Sequence, residues 1–126
     1  MRIVIVATLF FGACWSLPAT GADQEPPKRS VLMEKKVEYA QNLLKALMTE
    51  NFDEADRNVK LMKTFTRLEE MYRGKRPEYK AQLTKFQTSI SELTTTVEAK
   101  DYDKASDAYV NMIQSCIRCH RELKHE

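Results

Sequence analysis

Glycine and proline are scarce in this 126-residue chain, which has three of the first and four of the second, and from Ser30 onward only Gly74 and Pro77 remain. A chain of this size built from strands needs a turn roughly every 8–12 residues, and those turns draw on glycine, proline or Asn-Gly pairs. Their lack excludes a sandwich, a barrel and a glycine-rich phosphate loop. A surplus of charge is missing as well, with 20 Lys and Arg against 18 Asp and Glu. So even a balance gives no footing for nucleic acid or for an anionic membrane surface. No acid/base pair, nucleophile constellation or substrate pocket can be read from the residues, so nothing points to an enzyme. What is left is an all-α chain with one well-marked break in its middle.

The N-terminus is different in kind. Met1-Arg2 precedes an apolar run from Ile3 to Leu17, and Thr20-Gly21-Ala22 supplies a small-x-small ending, the arrangement of a cleaved export signal. The run falls short of the roughly 20 residues a membrane span needs, and no stop-transfer charges follow it, so stable membrane insertion of the mature chain is not expected. Cys14 follows Phe11-Gly12-Ala13 and precedes further apolar residues, a poor match to a lipoprotein site. The expected organisation is a signal peptide over 1–22, a polar leader over 23–29 and one domain over 30–126. Removing the signal takes Arg2 with it and leaves 104 residues of net charge +1. The expected localisation is the periplasm or another exported compartment.

Four helices are predicted by the spacing of apolar residues, over about 31–48, 52–72, 77–98 and 102–124. The first carries Met33, Val37, Ala40, Leu44 and Leu47 as its seam. The second carries Ala55, Val59, Met62, Phe65, Leu68 and Tyr72. Tyr79, Leu83, Phe86, Ile90, Leu93 and Val97 mark the third, and Tyr102, Ala105, Tyr109, Met112, Cys116, Cys119 and Leu123 the fourth. Asn51 with Glu54 has the form of a capping box, and Asp101 opens the last helix in the same style. Gly74 is placed to end the second helix at C′ and Pro77 to begin the third near N1. Residues 51–55 resemble 101–105, and Met62 falls at the offset of Met112, so one helical hairpin repeats the other. Long helices on short connections give an antiparallel up-down-up-down four-helix bundle.

Cys116-Ile117-Arg118-Cys119-His120 is a C-x-x-C-H sequence, the attachment signature of c-type haem. Each thiol can add across one vinyl group of the porphyrin, and the adjacent His then supplies the proximal nitrogen to iron. On a helix, positions 116, 119 and 120 share one face. Three other readings of these residues stand beside it: a Cys116–Cys119 disulfide, which is strained inside a regular helix; a zinc site with His120 and His125; and a chance motif in a structural bundle.

With an export signal, four helices and a C-terminal C-x-x-C-H, the chain resembles the cytochrome c-prime family and its low-spin four-helix relatives over residues 30–126. The resemblance implies one covalent haem c and no catalytic residues. It implies a basic residue near the haem at Lys124, four positions after His120. Leu32-Met33-Glu34-Lys35 with Ala40-Gln41-Asn42-Leu43 is similar to the low-spin relatives, in which a first-helix Met binds the iron. Two functions follow as expectations. One is one-electron transfer with a redox partner protein; the other is binding, sensing or scavenging of nitric oxide or carbon monoxide at a five-coordinate iron. Many members of the family are dimers, so a homodimer is implied too.

Counting along the helices places the remaining candidates. About fifteen residues back from the first connection, some 22 Å at 1.5 Å per residue, Met33 comes level with residues 118–120 and is the expected distal ligand. Val37 lines the distal side with it. Tyr72 and Tyr79 flank the second connection at the same pole and are placed to meet a propionate. Eleven basic side chains, Lys36 among them, and six acidic ones, Glu69 among them, are assigned to this pole. That imbalance suits an acidic partner.

Overall fold

A computed structural model describes residues 31–124, with the Lys124 side chain excepted. The signal peptide, the leader, Cys14 and His125 lie outside the described residues. Four helices run in the order α1 (Val31–Met48), α2 (Phe52–Arg73), α3 (Pro77–Glu98) and α4 (Tyr102–Lys124), with no strand among the described residues. The expected boundaries agree to within one residue. Each helix packs on its two neighbours around a ring and the diagonal pairs stay apart, as in an antiparallel four-helix bundle. The touch between α1 and α4 is the sparsest of the four.

The sequence repeat is a repeat of backbone geometry. After α1, Asn51 N–H bonds to Ala46 O and Glu50 N–H to Leu47 O; after α3, Asp101 N–H bonds to Thr96 O and Lys100 N–H to Val97 O. Both are Schellman turns, with Glu50 and Lys100 each at φ 53° where glycine is the usual residue. Asn51 Oδ1 then accepts from Glu54 N–H, and Asp101 Oδ1 from Lys104 N–H, each at 3.1 Å. The capping box expected at Asn51 is only half made. Its reciprocal arm would need the Asn51 N–H, which α1 has already taken.

At the middle connection Pro77 sits in the first turn of α3 as expected. Gly74 is not in the left-handed conformation; it has φ −69° and its N–H bonds Glu70 O. Glycine is required there for room, because a Cβ would stand 2.4 Å from Glu70 O.

The closed apolar core fills the pole away from this connection. Leu43, Ala46 and Leu47 of α1 meet Ala55, Val59 and Met62, then Ile90, Leu93 and Val97, then Ala105, Ala108 and Met112. All six seam positions of α3 are buried. Two other expectations fail toward the opposite pole. In α2 the inward register passes from Met62 to Thr66 and Glu69 rather than to Phe65, Leu68 and Tyr72. In α1, Val37 and Leu44 remain 52% and 45% exposed, because the bundle does not close over them.

Candidate functional site: the cleft between α1 and α4

Where α1 and α4 stand apart, a cleft of about 670 Å³ opens between them, within the usual range for a small-molecule or cofactor site. Met33, Val37, Ala40 and Leu44 form one wall, and Ile113, Cys116, Cys119 and His120 form the other. Met62, Leu83 and Phe86 of α2 and α3 make the floor. The apolar stripe of α1 therefore faces an open cleft instead of a neighbouring helix.

The sequence-derived candidates mostly converge here. His120 Nε2 lies 3.3 Å from Met33 Sδ, a contact between residues 87 positions apart that bridges the mouth. Val37 and Tyr79 line the same cleft. Tyr72 does not: it is 74% exposed and is absent from the lining, because the inward face of α2 passes through Glu69 instead. The Lys124 side chain lies outside the described residues.

Both cysteines are free thiols within the unbroken α4 helix, so no disulfide joins them. Burial pushes the Cys116 thiol up to about 11, against the pull of the nearby Lys36 ammonium. Burial also raises Cys119, helped by the Glu69 charge. Both thiols are thus neutral near pH 7. Among the described residues no three His, Cys, Asp or Glu side chains converge as a metal cage; the zinc reading also used His125, which lies outside them.

Lys36 and Glu69 are the site residues that sequence reasoning missed, and Phe86, expected only as a seam residue of α3, joins them. Lys36 and Glu69, counted above with the surface charges, are buried against each other, their side chains 7% and 4% exposed. Lys36 Nζ donates to Glu69 Oε2, and Tyr79 O–H donates to Glu69 Oε1. The ammonium also lies 4.9 Å from the centre of the Phe86 ring, a cation–π distance. Burial and the Glu69 charge together raise the Tyr79 phenol well above its ordinary value, so it remains a donor. One signal for the pair was available: Lys36 lies three residues after Met33, and Glu69 seven after Met62, both at seam spacing. On the other side of the cleft, Tyr109 O–H donates to Ala40 O at 3.0 Å, tying α4 to α1 below the mouth.

The donors present suit a c-type haem: two free thiols, an imidazole and a thioether, all on an apolar cleft. Cys116 and Cys119 would tether such a group, and His120 and Met33, already at the cleft mouth, would offer it a nitrogen and a sulfur. No protein-family model, curated protein or solved structure matches the chain.

Proposed function

We propose that the chain is an exported, monohaem c-type cytochrome that transfers single electrons. Cys116 and Cys119 are its tethers, His120 its proximal ligand and Met33 its distal ligand. The approach of Met33 Sδ to His120 Nε2 at 3.3 Å carries this reading, because it joins the ligand named by the motif to the one named by helix counting. The open α1 wall supports it further, since an apolar seam left uncovered is what a missing flat apolar group would leave. Bound haem would supply one iron that gains and loses a single electron. The chain's own part is to hold that group by two covalent bonds, exclude water with Val37, Leu83 and Phe86, and present an imidazole and a thioether. A thioether ligand raises the reduction potential.

Export belongs to the same proposal, since c-type haem is attached outside the cytoplasm. Among the described residues no helix is long and apolar enough to cross a membrane. Exposed Arg118 and Arg121 beside the motif, with Arg73, Lys75 and Arg76 at the same pole, favour an acidic redox partner. Electron-transfer rates with such a partner are then expected to fall as ionic strength rises.

The test is to express the chain with a haem-attachment system, stain for haem after denaturing electrophoresis, and record spectra in both oxidation states with and without carbon monoxide. Covalent haem, low-spin spectra and no carbon monoxide shift are expected. A high-spin spectrum that responds to carbon monoxide would remove Met33 from the iron and favour gas binding. Absence of covalent haem would end both readings.

A further inference from the structure

A buried ion pair costs more to place than apolar side chains of the same volume, and the far pole of this bundle closes without one. Lys36–Glu69 is nevertheless the one ion pair among the described residues with both side chains buried; the others lie at the surface. The pair does not fasten the outer surface, because Lys36, Glu69 and Tyr79 all line the cleft. Both carboxylate oxygens are committed, one to Lys36 and one to Tyr79. The Glu69 carboxylate is therefore fixed in direction, while Lys36 retains donors beyond the one it gives to Glu69. The pair lines the same cleft as the tether cysteines, and its two charges act on them with opposite sign.

We infer that Lys36 and Glu69 are an opposed pair of fixed charges that sets the electrostatic potential at the tether end of the cleft, with Tyr79 as the positioning residue for Glu69. In the cofactor-free chain, on top of the effect of burial, the pair biases how readily Cys116 becomes a nucleophilic thiolate. Once a redox group is held, the same charges set its potential: Glu69 favours the more positive oxidised state and Lys36 opposes it. This second consequence rests on the proposed function; the first does not.

The experiment uses the full chain prepared without haem, in a Cys119→Ser background, and measures alkylation of Cys116 by iodoacetamide. At about pH 8, Lys36→Gln is expected to slow alkylation about threefold and Glu69→Gln to speed it by a smaller factor, with Lys36→Arg restoring the parent rate. Circular dichroism on each variant establishes that it is folded. Should Glu69→Gln fail to fold, the Lys36→Leu/Glu69→Leu double variant replaces it, with a rate expected above that of Lys36→Gln, and a rate equal to or below it would overturn the inference. Loosened packing would move both single variants toward faster alkylation, so shifts of the same sign, or none, would overturn the inference. In the haem-loaded chain the reduction potential should rise for Glu69→Gln and fall for Lys36→Gln. Split thiol rates in a chain that takes up no haem would leave the inference standing and the proposed function lost. Attached haem without split rates would do the reverse.

Discussion

Met33 Sδ and His120 Nε2 meet at 3.3 Å, the first from the opening turn of α1 and the second from the last turns of α4. Neither helix holds the other closely along its length, so this contact spans the mouth almost alone. In the haem-loaded protein, Met33→Ala is expected to remove the far-red methionine–iron absorption band and to let carbon monoxide bind the reduced form. Retention of that band in Met33→Ala would assign the sixth ligand elsewhere.

Leu43 is fully buried, while its neighbour Leu44 is 45% exposed on the cleft. In the cofactor-free chain, Leu43→Ala should cost about 2–5 kcal/mol of stability, as a cavity in a closed core does. Leu44→Ala and Val37→Ala should stay within about 0.5 kcal/mol of the parent. Urea denaturation measures all three. In the haem-loaded chain the gap should narrow, because the two cleft residues then bury their methyl groups.

Glu50 and Lys100 hold the left-handed conformation at both Schellman turns, where a side chain costs roughly 1–2 kcal/mol. Glycine avoids that strain and gives back part of the gain through its freer unfolded state. Glu50→Gly and Lys100→Gly are each expected to stabilise the chain by about 0.5–1 kcal/mol, read as a higher urea midpoint at unchanged slope. A lower midpoint for either would mean that its side chain has a role at the turn that its backbone does not reveal.

Asp101 and Asn51 cap their helices alike, but only one of them titrates. The Lys104 side chain, and then its backbone N–H, hold the Asp101 carboxyl below its ordinary 3.8. Because the folded value is the lower one, the stabilisation is complete above the ordinary pKa and is lost as pH falls through the depressed one. Asp101→Asn should therefore lose less stability than the parent between about pH 5 and pH 2. Urea midpoints at the two pH values decide it, and equal losses in the two chains would assign the acid sensitivity to other carboxylates.

How far the sequence could be read depended on what each helix meets. The seam of α3 was legible at all six positions, because that helix is flanked by packed neighbours and periodicity alone decides which side chains turn inward. For α1 the same periodicity named the right stripe and the wrong surroundings: Val37 and Leu44 face a cleft, and spacing carries no information about whether a facing wall exists. Lys36 and Glu69 were hidden for a different reason. Charge is read as exposure unless a partner is known, and their partnership joins residues 33 apart on different helices. The Met33–His120 meeting was found because straight helices have a fixed rise, so distance along the chain converts into height along the bundle.

The closed far pole makes α1 and α4 the two arms of a pair of tongs. Their fulcrum is the apolar core around Leu43, Leu47, Ala105 and Met112, and their tips are Met33 and His120. The arms run roughly 22 Å from fulcrum to tip, so their length magnifies at the mouth whatever the packing at the fulcrum sets. Each arm is backed by its other neighbour, α1 by α2 through Lys36–Glu69 and Tyr39–Phe65, and α4 by α3 through Gln82 and Glu122. The grip is therefore braced from behind on both sides, while its tips face each other across an open mouth.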